Sequence, residues 1–289
     1  MKKLAIASIL IVTLVFSVLA IFSAGLWYPG ITPTQTAKII VHDSKFGMRA
    51  TDAAIFFGDP FIHALKSESQ DYELVNGRNA FWIIKILSAK ETDVSHAAAV
   101  ELFENQNLKT KLAGAAVLAK YGDLSKHEFL PGGLIHDILA KKQYGEKTGS
   151  SIKDSDYIEL ALQATVNANS KDMVPYIISI LNNRPSPYWS HAKACDALAQ
   201  LNAAEAIPAL IEAMKSEEFY ALPNAFNALV KLGEKDAAPL AISRIGPDIE
   251  GKNSGFVIDE LEKFTGKSFG KDKAAWERWW HEESNKRVN

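Results

Sequence analysis

Cysteine and net charge are both scarce in this chain of 289 residues, and each scarcity excludes a class of protein. Cys195 is the single cysteine, so no disulfide can form within the chain, and a disulfide scaffold is excluded. The formal net charge is −2 at neutral pH, whereas domains that bind nucleic acid usually present a clearly basic face. We therefore expect no nucleic-acid partner.

Motifs for metal binding and catalysis are also lacking. The seven histidines form no HExxH and no HxxxH pair, and "LPGGL" lacks the lysine of a phosphate-binding loop. Cys195 lies on the same apolar stripe as Leu198, which indicates a buried structural thiol, although spacing alone leaves a Cys–His pair with His191 open. We predict no cofactor, no metal site and no catalytic residue, and we interpret the chain as a non-enzyme.

One long hydrophobic run is present at residues 4–24, "LAIASILIVTLVFSVLAIFSA", and Lys2 and Lys3 precede it. A helix of this length spans about 30 Å, the thickness of a bilayer's hydrocarbon core. We interpret residues 1–30 as a signal anchor or a cleaved signal peptide, with residues 4–26 in the membrane if the segment is retained. In a bacterium the chain is then anchored in the inner membrane with a periplasmic domain, or is periplasmic or secreted after cleavage.

The body of the chain repeats with a period of 31 to 33 residues. "ALAQLNAAEAIPALIEAM" at 197–214 aligns with "ALVKLGEKDAAPLAISRI" at 228–245, so that Pro208 falls on Pro239. In the other direction, "ATVNANSKDMVPYIISIL" places Pro175 33 residues before Pro208. A fixed period near 30 without strand-like alternation is typical of a helical solenoid.

Apolar residues within each repeat follow helical spacing. In the second helix of each unit they occupy positions i, i+3, i+4 and i+7, which are Val174, Ile177, Ile178 and Leu181; Ile207, Leu210, Ile211 and Met214; and Ala238, Ala241, Ile242 and Ile245. The turns before these helices are marked by Asn169, Asn202 and Gly233. We predict an all-α fold, an α-solenoid of antiparallel helix hairpins preceded by one N-terminal hydrophobic helix.

Changes of composition and periodicity divide the chain. The predicted parts are a signal anchor or signal peptide at 1–30, a linker at 31–45, degenerate helical repeats at 46–140, a loop at 141–155 and regular repeats at 156–283, the last with a tryptophan-rich capping helix. The loop is predicted because "KKQYGEKTGSSIKDS" contains glycine, serine and charge without apolar periodicity.

The segments "DALAQLNAAEAIPALIEAM" and "NALVKLGEKDAAPLAISRI" resemble HEAT-like repeats of the short form found in bacterial HEAT-repeat proteins and in phycobilin lyases. The resemblance covers roughly residues 50–283 and is strongest over 155–246. It implies a superhelix of helix pairs with a concave protein-binding face, and hence a non-enzymatic scaffold whose partner is an envelope protein. The alternative is a bilin-lyase-like or other cofactor-handling enzyme built on the same repeats.

Aromatic residues at two turns between repeats are candidate partner contacts. They are Tyr188 and Trp189 in "NNRPSPYWSH", and Phe219 and Tyr220 in "SEEFYALP" 31 residues later. Arg78 in "NGRNAF" is a further candidate, suited to an acidic partner. The alternative is that the aromatic residues staple one repeat onto the next and that Arg78 is an ordinary helix-start residue.

The C-terminal segment "KDKAAWERWW" holds Trp276, Trp279 and Trp280 at the spacing i, i+3, i+4 of one helix face. Asp272 is the predicted N-cap of that helix. The last repeat of a solenoid has no successor, so it must close the core with a bulky face while showing a polar face to water. We interpret the three tryptophans as this structural cap, and a grip on a ligand is the alternative.

Overall fold

The computed structural model of the protein describes residues 32–36, 59–71, 77–141, 151–182, 188–215, 221–234, 237–246 and 254–288. Every regular element in these residues is helical, so the predicted all-α class is confirmed for the described part of the chain. The chain forms two compact units, Met1–Asp123 and Leu124–Asn289. The hydrophobic run at 4–24 lies outside the described residues, and no helix within them has both the length and the apolar character to cross a bilayer.

The described part of the first unit contains four helices of twelve or more residues, and the last of them is almost entirely buried. They are α1 (Asp59–Asp71), α2 (Gly77–Lys90), α3 (Asp93–Glu104) and α4 (Leu108–Tyr121). Helix α4 contacts α2 and α3, and its residues 112–119 are all buried. Asn107 begins this helix by accepting hydrogen bonds from the Lys109 and Thr110 amides at 3.0 and 3.1 Å. The buried stretch contains five alanines or glycines among eight residues, so neighbouring helices can approach its backbone closely.

Gly114 is the point of closest approach between α3 and α4. A Cβ atom at this position would lie 2.8 Å from the carbonyl oxygen of Ala99 and would also collide with the backbone nitrogen of Phe103. Both obstacles are main-chain atoms of α3, which cannot rotate away as the end of a side chain can. The hairpin formed by α3 and α4 therefore depends on the missing side chain.

We expect Gly114→Ala to lower the free energy of unfolding by about 3 kcal/mol, because the two helices must separate to admit the methyl group. Urea unfolding followed by circular dichroism measures the change. Gly246→Ala is the control, because a Cβ atom there meets nothing within 4 Å, and it should shift stability by less than about 0.5 kcal/mol. Equal stabilities for the two variants would contradict the close packing.

The second unit begins with a 3-10 turn at Lys126–Phe129 and continues as a series of helices. The helices are α5 (Leu134–Lys141), α6 (Ser151–Asn167), α7 (Val174–Asn182), α8 (Tyr188–Gln200), α9 (Ile207–Lys215), α10 (Leu222–Lys231), α11 (Ala238–Ser243), α12 (Ser254–Thr265) and α13 (Lys273–Val288). Short 3-10 turns at Lys171–Met173 and Ala204–Ala206 precede α7 and α9. Pro175, Pro208 and Pro239 are each the second residue of their helix, where no amide hydrogen is needed.

These helices form two rows, as in a helical solenoid. In one row α6 packs on α8, α8 on α10 and α10 on α12, and in the other α5, α7, α9, α11 and α13 pack in turn. The predicted apolar stripes face the inside of the stack: Ile177, Leu210 and Ala241 are fully buried. Ile178, Ile207 and Ile211 are only half-buried and lie at the edges of their stripes. The predicted helical spacing is therefore confirmed.

The turns that end the first-row helices share one geometry. Asn169, Asn202 and Gly233 have left-handed backbones with φ of 50, 51 and 86°, as the sequence predicts for these turn residues. In each turn the next amide donates back to the helix, from Ser170 to Thr165, from Ala203 to Leu198 and from Glu234 to Leu229. Asparagine accepts this conformation at a smaller cost than most residues, which explains its presence where glycine is absent.

The start of helix α6 overlaps the end of the segment predicted as a loop. Helix α6 begins at Ser151, inside the segment 141–155 predicted as a loop, and residues 142–150 of that segment lie outside the described residues. The boundary between the two compact units falls between Asp123 and Leu124. The N-terminal turn of α6 is polar, "SIKDSD", and therefore gives no apolar signal from which a helix start could be predicted.

Candidate functional site

The structure does not describe the side chains of the five residues predicted as partner contacts. Arg78 is the second residue of α2, and Tyr188 and Trp189 are the first two residues of α8. Their helical backbones are described, whereas Phe219 and Tyr220 lie outside the described residues altogether. Partner binding by these residues therefore stays a prediction.

Cys195 lies inside the stack, on α8. Its side chain is completely buried and forms no disulfide, which confirms the prediction of a buried thiol. Burial raises the pKa of the Cys195 thiol above its ordinary value, and the neighbouring Asp196 carboxylate raises the pKa further. A thiol held in its protonated form inside a helix stack is a packing group and not a nucleophile.

Asp196 turns from the same helix toward the surface of the first row. Its Oδ1 atom lies 3.5 Å from the amide nitrogen of Asn224 on α10. Partial burial raises the pKa of the Asp196 carboxyl, with the amide of Asn224 and the ammonium groups of Lys193 and Lys231 acting against this shift and Glu260 adding to it. The ionised carboxylate is thus held across α8 and α10 at a net cost in solvation.

His136 links α5 to α7 through a chain of polar groups. Its Nδ1 atom lies 3.2 Å from Oδ1 of Asp137, and its Nε2 atom lies 3.0 Å from the hydroxyl of Tyr176. The rings of His136 and Tyr176 meet edge to face with centroids 4.8 Å apart. The imidazole ring therefore bridges the Asp137 carboxylate and the Tyr176 hydroxyl, so the three groups act as a polar clamp between two helices.

This clamp is not detectable from the sequence. The residues His136 and Tyr176 are 40 positions apart, and neither belongs to a motif with fixed spacing. The adjacent pair of His136 and Asp137 is a weak signal by itself, because only packing of α7 against α5 brings the tyrosine into reach. Among the described residues, no group of three or more His, Cys, Asp or Glu side chains is placed to hold a metal ion.

The tryptophans of α13 form an aromatic cluster at the end of the second unit. Trp276 is fully buried, and its indole nitrogen donates to the carbonyl of Gly270 at 2.9 Å. Phe269 and Trp279 contact the Trp276 ring edge to face, with centroids 4.9 and 6.0 Å away. Trp279 and Trp280 are half-buried, so the three tryptophans do not share one environment. Their capping role stays a prediction.

Helix α13 begins as predicted. The backbone amide of Ala275 donates to the Asp272 carboxylate at 2.9 Å, which confirms Asp272 as the N-cap. The turn before it contains Gly266 and Gly270, both with left-handed backbones at φ of 68 and 53°. This turn sends α13 back along α11 so that the two helices contact.

A groove of about 380 Å³ lies between α11 and α13. It is lined by Pro239, Ile242 and Ser243 from α11, and by Glu277, Trp280, His281 and Ser284 from α13. Its volume lies within the range of small-ligand sites, and it combines one aromatic side chain with a few polar groups. The groove is therefore the candidate binding site among the described residues.

The sequence comparisons agree with this architecture. A family model described as HEAT repeats matches residues 174–248, the segment that contains α7 to α11. No curated protein matches the chain. The matched segment is about a quarter of the 289 residues, and within it the helix pairs have the arrangement that HEAT repeats predict. The resemblance predicted from the repeated prolines and apolar stripes is confirmed there.

Trp276→Ala should lower the free energy of unfolding by about 3–5 kcal/mol, because the variant loses a fully buried ring and leaves the Gly270 carbonyl without its donor. Thermal and urea unfolding measure the loss. Trp279→Ala is the matched control, since Trp279 is half-buried on the same helix and should cost less. If Trp279→Ala were as unstable as Trp276→Ala, the prediction would be wrong, and the aromatic rings would stabilise the fold only together.

Asp196→Asn should stabilise the fold at neutral pH. The folded state raises the carboxyl pKa, so ionised Asp196 costs stability at every pH above its ordinary pKa of about 4. The neutral amide of the variant removes that cost. The gain in free energy of unfolding should disappear as the pH falls through the raised pKa of the folded state toward the ordinary pKa. The gain should stay below about 1 kcal/mol, because solvent screens a partly exposed group.

The free energy of unfolding, measured from pH 3 to 8, tests whether Asp196→Asn stabilises the fold. Asp259→Asn is the control, because Asp259 is an exposed aspartate of α12. The difference in free energy of unfolding between the two variants is the quantity to compare. A loss of stability in Asp196→Asn at pH 7 would show that the ammonium groups of Lys193 and Lys231 outweigh desolvation.

Proposed function

We propose that this chain is a non-enzymatic scaffold that binds a protein partner on the surface of its helical repeats. The observation that carries the proposal is the two-row stack of α5 to α13, together with the HEAT-repeat match over 174–248. Stacked helical repeats present extended surfaces on which proteins dock. The apolar side chains that hold the stack are buried, so the surface residues are available for recognition.

Each of the two rows of helices has solvent-facing side chains of its own. In the second row Pro175 and Pro208 are exposed at equivalent positions of two repeats, and in the first row Gln200 and Lys231 are exposed likewise. Successive helices repeat these positions every 31 to 33 residues, so a long partner segment can contact several repeats at once. A superhelical curve of the array, with one row on its concave side, is part of the same proposal.

We further propose that the scaffold works outside the cytoplasm and that its partner is an envelope protein. The support is the uncharged run at 4–24, preceded by Lys2 and Lys3, which is typical of an exported or membrane-anchored chain. In a bacterium this topology puts the repeats in the periplasm. They are tethered to the inner membrane when the run is retained, and they are released when it is cleaved.

Site-specific photocrosslinking in the native cells tests the proposal. A photoreactive residue replaces Glu212 of α9 in one strain and Lys231 of α10 in another, because both are exposed and they belong to different rows. We expect a discrete heavier product from one row and not from the other, because a docked partner covers one surface. The same residue at Lys85 of α2, exposed in the first unit, is the comparison.

Absence of a discrete product at all three positions would reject the scaffold. The localisation is read from the same preparation, by fractionating the membranes and sequencing the N-terminus of the recovered chain. Either a retained N-terminus in the membrane fraction or a chain that begins near Leu26 in the periplasm agrees with export. An uncleaved chain in the soluble cytoplasm would reject the compartment and leave the scaffold standing.

A further inference from the structure

The outer face of the second row carries a recurring proline and isoleucine. Pro175 of α7 and Pro208 of α9 are exposed, and Ile178 and Ile211, three residues later, are half-buried. Residues three apart lie on one face of a helix, so each pair forms a short apolar ridge. Pro239 of α11 is half-buried at the equivalent place. These five residues lie on three helices that pack in turn, and together they are called the proline strip below.

The helices that carry the proline strip contain few charged residues. Helices α7 and α11 have none, and α9 has only Glu212 and Lys215, whose charged atoms lie 3.6 Å apart. The first-row helices α8, α10 and α12 carry Lys193, Asp196, Lys231, Asp259, Glu260, Glu262 and Lys263. Charged residues are depleted at the centre of protein interfaces, so the second row is better suited to face a partner.

The second row also offers few hydrogen-bond donors for a peptide backbone. The Ser179 hydroxyl donates to the Tyr176 carbonyl at 2.6 Å and the Ser243 hydroxyl to the Leu240 carbonyl at 2.7 Å, so both protons are used within their own helices. Each proline of the strip stands in the first turn of its helix, where an amide would otherwise be free to donate. An extended segment buries amides and carbonyls that need partners, whereas a helix pairs these groups internally. The strip therefore suits a helical segment better than an extended one.

The spacing of the strip matches the period of a helix laid across it. Neighbouring packed helices lie about 8–10 Å apart, and so do the ridges that they carry. Residues seven apart in an α-helix are separated by about 10.5 Å and lie near the same face. A helix with an apolar residue at every seventh position can therefore contact one ridge with each of them.

We propose that the second row faces the protein partner, and that an amphipathic α-helix of the partner lies across α7, α9 and α11 on the proline strip. Apolar side chains of this helix contact the ridges, and its polar face stays in water. The proposal rests on the scaffold function, and it names the row that binds and the kind of segment that is bound.

The positions of cross-links along the partner test the helix. In the native cells, a photoreactive residue replaces Ser179, Glu212 or Ser243 of the full-length chain, which hold equivalent positions in α7, α9 and α11. Mass spectrometry of the joined peptides identifies the partner residue that each position reaches. Ser179 and Ser243 are two repeats apart, about 16–20 Å. We expect the partner residues reached from them to be about 11–13 positions apart, at about 1.5 Å per helical residue.

The other outcomes of this experiment overturn the proposal. An extended segment would place the two partner residues only about five or six positions apart, at about 3.3 Å per residue. A product formed only from Lys231 of α10 would put the partner on the first row and would leave the scaffold function standing. A product joined to a second copy of this chain would identify self-association instead of a separate partner. Absence of a product at every position rejects the scaffold and this inference with it.

Two matched substitutions test the strip itself. Ile211→Gln should lower the yield of the products from Ser179 and Ser243 by about fivefold or more, because it removes an apolar contact at the centre of the strip. Val230→Gln is the control, since Val230 is also half-buried and aliphatic but lies on α10 of the first row. Circular dichroism shows whether both variants are folded. Pro208→Asp, at an exposed first-turn position, takes the place of Ile211→Gln if that variant unfolds. Equal yields from the strip variant and the control would contradict the proposal.

Discussion

Each helix of the second unit has an apolar stripe that it cannot bury alone, and the architecture follows from this constraint. Val174, Leu210 and Ala238 are buried because the next helix of the row and the helix opposite both cover them. The same stripe recurs every 31 to 33 residues, so each added hairpin buries the open face of the one before it. Stability in such a stack is a sum over neighbours, and it depends little on which residues face the solvent.

A stack held by neighbours must end somewhere, and the open end needs a different solution. On α13 the ring of Trp276 is fully buried, contacts Phe269 and Trp279, and donates a hydrogen bond to the Gly270 carbonyl. Trp279 and Trp280 stay half-exposed because no further hairpin among the described residues packs on them. Large aromatic surface and solvent therefore meet along α13, where the groove also lies.

The helical rows could be predicted from the sequence because their signals are local. Proline at the second helical position, asparagine or glycine in the left-handed turn, and apolar residues at helical spacing all act within one repeat. The contacts that distinguish this chain from a generic array are not local. The pairs His136 with Tyr176 and Asp196 with Asn224 join residues 40 and 28 positions apart, and Gly114 is decisive only because α3 crosses it closely. The start of α6 could not be predicted from local signals, because the first turn of this helix is mostly polar and shows no apolar periodicity.

The separation between a buried repeat and a variable surface also explains why the fold indicates a class of function without naming a partner. The match to HEAT repeats reflects the buried stripes and the turns over 174–248. Glu277 and Ser243 line the groove and are exposed, so they contribute little to those stripes. Asp196 has the same character, because its ionised carboxylate is kept at a cost in solvation that packing does not require. The fold tolerates such polar groups but does not need them, so the repeat pattern carries no information about which polar groups stand on the surface.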